Sequence, residues 1–162
     1  MDVIGKSPIA VPALILGKLA LFGCVLFPVA VKAGIVTAQY VDGFTRTTGI
    51  ILYLLGLCVI LLAIAHLGES VAVGIPDRKT ELKTHGLYRF SRNPIYVGGF
   101  VMCAGSCLYA IHFANFLLCI IAVAIHLRIV MKEEQFLEVR FGPQWLEYKR
   151  RVPRYIGLRN KN

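Results

Sequence analysis

Apolar and polar positions along this chain fall into long separate blocks instead of alternating. Four apolar windows stand out, Val11 to Val31, Gly49 to Leu67, Ile95 to Ile111 and Ala114 to Met131. A bilayer-spanning helix needs about 20 apolar residues, within a range of about 17–25, so the pattern predicts an all-α integral membrane bundle of about four transmembrane helices. Pro28 falls inside the first window, where the missing donor and ring clash would kink a helix. The first two windows are joined by a loop containing Ala38-Gln39-Tyr40-Val41-Asp42-Gly43, and a longer polar connection, Ser70 to Arg92, precedes the third. Gly74, Pro76 and Gly86 mark turns in that connection, with Glu81-Leu82-Lys83 extended. Asn93 suits a helix N-cap and Pro94 the first helical position, so the third helix should begin there. Only His112 to Asn115 separate the third and fourth windows, which predicts a tight antiparallel hairpin. Gly98, Gly99, Ala104, Gly105 and Ser106 would let backbones approach closely, because membrane helices associate by contact and not by water exclusion.

Past Met131 the pattern becomes amphipathic, with Phe136, Leu137 and Phe141 set among Lys132, Glu133, Glu134, Glu138 and Arg140. Gly142-Pro143 interrupts it. A second short helix, about Gln144 to Arg151, carries Trp145 and Tyr148 beside Lys149, Arg150 and Arg151, a combination suited to a membrane-interface belt.

Composition sharpens this picture: 57% hydrophobic and 17% charged residues in 162 exclude an ordinary soluble domain. One membrane domain over residues 1–162 is expected, with two helices in 1–69 and a core in 70–162. No Lys/Arg cluster or small-residue cleavage site frames the first window, so it should remain as a helix. Positive charge is retained on the cytoplasmic side. On a four-helix reading Lys6, the second connection (Arg78, Lys79, Lys83, Arg89, Arg92) and the tail (Lys132, Arg140, Lys149, Arg150, Arg151, Arg154, Arg159, Lys161) share one side, against Lys32 and Arg46 on the other. Both termini and the polar loop should therefore face the cytoplasm. The formal charge of +9 flanks apolar helices and reads as topology and attraction to anionic headgroups, not as a nucleic-acid surface. Lys18, inside the first window, should snorkel to the headgroups. Cys24, Cys58, Cys103, Cys107 and Cys119 all lie in apolar windows as small buried hydrophobes, with no disulfide framework. Cys103 and Cys107 share a helix face without partners at metal-ligand spacing, so no metal site is expected.

The chemistry-bearing residues cluster. Arg89 and Arg92 in the polar loop and Glu133-Glu134 about forty residues later all fall at the same boundary, where ion pairs could hold loop to tail. Carboxylates accept from ammonium and hydroxyl donors, and the Tyr88 and Tyr96 rings can meet an adenine or a cation. His66 and His126 read as packed or interfacial. The run Gly86-Leu87-Tyr88-Arg89-Phe90-Ser91-Arg92-Asn93-Pro94-Ile95-Tyr96, then Glu133-Glu134, Phe141-Gly142 and Tyr148 to Arg154, resembles the isoprenylcysteine carboxyl methyltransferase family and its phospholipid methyltransferase relatives. The resemblance covers roughly Thr80 to Tyr155.

That resemblance implies an integral membrane methyltransferase using S-adenosylmethionine and releasing S-adenosylhomocysteine. It implies cofactor contacts from Tyr88, Asn93, Pro94, Tyr96, Glu133 and Glu134, with Gly86 and Arg92 in the same run. Leu82 and Lys83 would contribute mostly through main chain. Asn93 departs from the histidine of the eukaryotic carboxyl methyltransferases, and an amide cannot titrate. Arg128, an ionisable group near the end of an apolar window, stands where the family has a substrate-directed arginine and is the expected catalytic residue, holding an anionic substrate by paired donors. The expected reaction is in-line methyl transfer to a lipophilic or prenylated substrate reached from membrane lipid. A prenylcysteine or similar isoprenoid carboxylate is favoured because it is already ionised and needs no base. A phospholipid amine and a small thiol are alternatives. Membrane sterol reductases share a similar arginine-proline-tyrosine run and would use NADPH, and a non-enzymatic scaffold would use these charges only for topology.

Overall fold

A computed structural model describes residues 11–39, 42–67 and 82–156. Lys6, Tyr40, Val41, Gly74, Pro76, Arg78 to Glu81, Arg159 and Lys161 lie outside the described residues. The described chain forms five α-helices, α1 (Val11–Lys32), α2 (Gly43–Leu67), α3 (Pro94–Tyr109), α4 (Phe113–Phe141) and α5 (Pro143–Arg151), with a 3-10 turn at Gly86–Arg89. Helices α1, α2 and α4 are long and apolar enough to cross a membrane, and α3 is a shorter apolar helix of 16 residues. Their outer faces carry Leu19, Phe22, Ile51, Leu54 and Ile120 exposed, the surface that lipid requires.

Two helices outrun their hydropathy windows. Helix α2 starts at Gly43 and not Gly49, because Asp42 accepts from the Thr45 amide at 3.0 Å and from the Thr45 hydroxyl at 2.6 Å, a cap that lets a polar first turn form. These bonds hold the Asp42 carboxyl below the usual carboxylate range. Helix α4 runs unbroken through the change from apolar to amphipathic pattern and spans 29 residues, about 43 Å at about 1.5 Å per residue. It ends where Gly142 takes φ +52°, a left-handed conformation that only glycine adopts without strain.

Packing does not follow chain order. Although α3 and α4 are joined by a short link, α3 lies along α2, and α4 along α1. The reason is a set of glycines seven residues apart on both α2 and α3. A Cβ at Gly56 would stand 2.5 Å from the Gly98 carbonyl, and one at Gly105 would stand 2.7 Å from the Gly49 carbonyl. Gly99, also expected to serve close packing, has no atom near its missing Cβ. The α3–α4 link is tied down by Asn115, fully buried, whose Nδ2 donates to the Ser106 and Ala110 carbonyls at 3.1 and 3.2 Å. Ser106 in turn donates to the Cys24 carbonyl at 2.6 Å. Around this point Cys24, Cys103 and Cys107 form a buried cluster with Cys119 against it, and the Cys24, Cys107 and Cys119 sulfurs lie within 4.8 Å of one another. Cys103 and Cys107 share α3, but the thiols that converge come from α1, α3 and α4.

Trp145 and Tyr148 differ from the expected interface belt. Both are buried with Val152, packed by Leu82, Leu137 and Phe141. The amphipathic α5 turns its aromatic face onto α4 and the polar loop, which leaves its basic residues outward.

Candidate functional site

Adjacent residues on a helix point about 100° apart, and this divides the work of Glu133 and Glu134. Glu134 turns inward, its side chain only 4% exposed. Arg92 grips it with two parallel bonds, Nε to Oε1 at 3.0 Å and Nη2 to Oε2 at 3.1 Å. Arg154 adds Nε and Nη2 to Oε2 at 3.0 and 2.9 Å, and the Asn93 amide donates to Oε1 at 3.2 Å. Two guanidiniums and an amide thus saturate one carboxylate. The buried negative charge is compensated, without which it would be costly.

The same arginine fastens the tail. Arg92 Nη1 donates to the Lys149 and Val152 carbonyls at 3.0 and 2.8 Å, and its amide donates to the Pro153 carbonyl at 2.9 Å. Ser91 donates to the Arg154 carbonyl at 3.2 Å and Asn93 Nδ2 to the same oxygen at 3.2 Å. Tyr148 closes the seam by donating to the Tyr88 carbonyl at 2.7 Å. Burial raises the pKa of the Tyr148 phenol, so it remains a donor at neutral pH. Asn93 occupies the N-cap position of α3, yet its side chain makes no cap bond; its Nδ2 donates instead to the Glu134 carboxylate and to the tail carbonyl. The loop before α3, the C-terminal part of α4 and residues 148–154 are one hydrogen-bonded unit.

Glu133 faces the other way, into a cavity of about 430 Å³ between α1, α2, α3 and α4. Tyr96 donates to its carboxylate, 2.9 and 3.0 Å from the two oxygens. Tyr96 also packs on His126 with ring centroids 5.8 Å apart. His126 Nδ1 lies 2.7 Å from the Ala122 carbonyl. A carbonyl only accepts, so Nδ1 carries a proton in this contact, and Nε2 is the ring nitrogen left outside it. Along α4 the spacing His126, Ile129, Glu133 sets one stripe on this wall. Gly17 brings α1 onto it, since a Cβ there would meet Ile125 at 2.6 Å. Lys18 follows immediately and lines the cavity with Leu14 and Leu21; Gly99 and Phe100 line it from α3. The Tyr155 ring packs at a tilt against Phe100, centroids 5.9 Å apart, and its buried hydroxyl has no hydrogen-bond partner among the described residues.

A second, more polar cavity of about 560 Å³ lies at the loop–tail seam, lined by Leu82, Arg89, Tyr148 and Arg151 among others. The expected cofactor residues therefore separate. Tyr96 and Glu133 line the first cavity and Leu82 the second. Arg92, Asn93 and Glu134 form the latch. Pro94 starts α3 and is buried, and Tyr88 is buried at the seam. Gly86 takes φ +59° against the His66 ring, which accepts from the Leu87 amide at 3.4 Å. Lys83 sits in the irregular segment before this turn. Arg128 is not brought to the site: it is exposed and lies across α4 from the His126–Glu133 stripe. Arg154 and His126 went unrecognised as site residues. The His126, Ile129, Glu133 register could have revealed the second, whereas nothing local marks Arg154 apart from its basic neighbours.

The residues at the first cavity fit the cofactor that the sequence resemblance implies. Glu133 offers charge to a cation, and Tyr96 and Phe100 offer ring faces. Residues 44–144, more than half of the chain, match the family model described as phospholipid methyltransferase. The matched span holds Tyr96, His126, Glu133 and Glu134 but neither Lys18 nor Arg154. No curated protein and no solved structure matches the chain.

Proposed function

The chain belongs to the phospholipid methyltransferase family, and from that premise we propose that it transfers a methyl group from S-adenosylmethionine to the amine of a membrane phospholipid at the Tyr96–Glu133 cavity. The cofactor supplies a methyl carbon on a sulfonium, which departs as the neutral sulfide of S-adenosylhomocysteine once displaced. The observation that carries the reading is a carboxylate, Glu133, held by Tyr96 in a largely apolar cavity within a membrane-spanning bundle. Such a group favours a cation beside it. Tyr96 keeps the carboxylate in place and Leu, Ile and Phe side chains line the cavity beside it, so the chain contributes mainly alignment. An ammonium headgroup must lose a proton before it can attack, and the Nε2 lone pair of His126 on the same wall is the acceptor this chain offers. Glu134, Arg92, Asn93 and Arg154 act by fixing the start of α3 against α4, which sets the Tyr96–Glu133 distance. The basic residues of the loop and tail support an orientation in which this end of the bundle and both termini face the cytoplasm.

One observation favours a second reading, methylation of a prenylcysteine or similar isoprenoid carboxylate. Lys18 brings a cation to the cavity, and an ionised carboxylate needs no base. Calorimetric titration of detergent-purified protein with S-adenosylhomocysteine tests the cofactor. Saturable binding is expected in the wild type and at least about tenfold weaker binding in Glu133→Gln, and folded protein that gives no saturable heat rules the reading out. Transfer of a radiolabelled methyl group then separates the acceptors, since an ester releases label in base and a methylated amine, or a thioether, retains it.

A further inference from the structure

A cation seven residues into a membrane-crossing helix needs an anion or water, because an ammonium left unpaired in hydrocarbon is strongly disfavoured. Lys18 lies in α1, about 10 Å along the axis from Val11 at about 1.5 Å per residue. Among the described residues it makes no ion pair or hydrogen bond. Snorkelling to the headgroups is expected of it. Though exposed, it lines the same cavity as Glu133, in a stripe with Leu14 and Leu21. The close approach of α1 to α4 at Gly17 fixes that stripe at the neighbouring residue, where an added Cβ would meet Ile125 at 2.6 Å and the His126 ring at 3.6 Å.

The cavity thus has a positive side chain on one wall, a negative one on another, and mainly apolar lining between them: Ile60, Ile95, Phe100 and Ile129. Neither charge neutralises the other, since no Lys18–Glu133 pair forms. A site with separated opposite charges and apolar sides complements a zwitterion on an apolar tail. Its volume, about 430 Å³, falls in the range of about 300–1,000 Å³ typical of small-ligand sites.

We infer that Lys18 is a specificity-determining residue that binds the phosphate of the acceptor lipid, so that the amine of the same headgroup is directed toward the Glu133 and His126 wall. This rests on the proposed function and adds a role for a residue outside the matched span of 44–144. Lys18 performs no bond-making step. It selects lipids in which an anion and the methyl-accepting amine are a few bonds apart, and it discriminates against amines that lack the phosphate.

The test titrates S-adenosylhomocysteine-saturated protein with dioctanoyl phosphatidylethanolamine, with octylamine, and with farnesylcysteine, for the wild type, Lys18→Met and Lys18→Arg. A charge-assisted bond lost from a partly desolvated site lowers affinity by about tenfold or more. Lys18→Met should therefore weaken phosphatidylethanolamine at least about tenfold and leave octylamine unchanged, while Lys18→Arg stays within about threefold of the wild type. S-Adenosylhomocysteine affinity should be equal in all three proteins, which certifies the fold and keeps the cofactor reading separate. Equal phosphatidylethanolamine affinity in wild type and Lys18→Met overturns the inference, as does a parallel loss for octylamine. Selective loss for farnesylcysteine alone would assign Lys18 to a carboxylate and overturn it in favour of the second reading. Wild-type protein that binds S-adenosylhomocysteine but not phosphatidylethanolamine overturns it too, without touching cofactor binding.

Discussion

Glu134 ties together separate parts of the chain with one side chain. Its carboxylate, on α4, joins the two residues before α3, Arg92 and Asn93, to Arg154 of the tail. Removing one partner from a buried ion pair costs about 3–5 kcal/mol, because a charge is left uncompensated. Glu134→Ala, which strands two guanidiniums, is therefore expected to lower the unfolding midpoint in detergent sharply and to expose residues 148–156 to protease. Glu134→Gln, which keeps the shape, should fall between. A variant as stable as the wild type would mean that the tail is held by its aromatic cluster alone. Tyr96→Phe makes the opposite prediction: it removes only the hydroxyl that donates to Glu133, so stability should change by less than about 1.5 kcal/mol. Methyl transfer should nevertheless fall by about tenfold or more, read as kcat with S-adenosylmethionine saturating. This contrast follows from two neighbouring glutamates having unlike tasks, one satisfied internally and one facing open space.

At the scale of elements, the glycine contacts between α2 and α3 and the open space beside Gly99 lead to divergent expectations for similar substitutions. Gly56→Leu places a side chain where the Gly98 carbonyl already stands 2.5 Å from the Cβ position. The helices must separate, and loss of the monodisperse folded species on size-exclusion chromatography is expected. Gly99→Leu meets no atom within 4 Å at its Cβ, so the protein should fold with its midpoint within a few degrees of wild type, while the new side chain occupies the cavity and blocks acceptor binding. If Gly99→Leu left lipid methylation intact, the cavity would not be the acceptor site. How far these elements could be read in advance follows from the same physics. Apolar blocks long enough to span a bilayer declare themselves, and so did the start of α3 at Asn93-Pro94 and the break at Gly142-Pro143. The partners of α3 did not, because hydropathy reports only that a helix meets lipid or protein. The glycines of α2 that select α3 look like ordinary helix interior until the other strand of contacts is known. Arg92 and Glu134 were legible as a charged cluster, since both lie at the same boundary in any four-helix arrangement. The role of Asn93 was not, because its donors are claimed by Glu134 and by a tail carbonyl some sixty residues away. Arg128 shows the limit of reading roles by vicinity: a shift of two positions from His126 moves a residue about 200° around α4, away from the cavity.

For the whole molecule, the alternating helices put the loop–tail unit at one end of the bundle and the α1–α2 and α3–α4 links at the other, where Arg46 donates to the Tyr109 hydroxyl at 3.1 Å and the Gln39 amide to the Ile111 carbonyl at 3.1 Å. The proposed orientation makes a direct prediction. In right-side-out vesicles of a variant without native cysteines, a cysteine at Ile35 or Phe113, both well exposed, should react with an impermeant maleimide from outside, and one at Ile156 only after the membrane is opened. Reaction of Ile156 from outside would invert the bundle and move the reacting end away from cytoplasmic cofactor. The unbroken run of α4 adds a dimension to this. Glu133 stands about 30 Å along the axis from Phe113 at about 1.5 Å per residue, which is one hydrocarbon thickness of a typical bilayer. With the far end of α4 anchored, the helix works as a depth gauge that sets Glu133 level with the boundary where headgroups begin. Turnover in reconstituted vesicles should therefore peak for acyl chains whose hydrophobic depth is near that value and decline for both shorter and longer ones, so that membrane thickness itself tunes the enzyme.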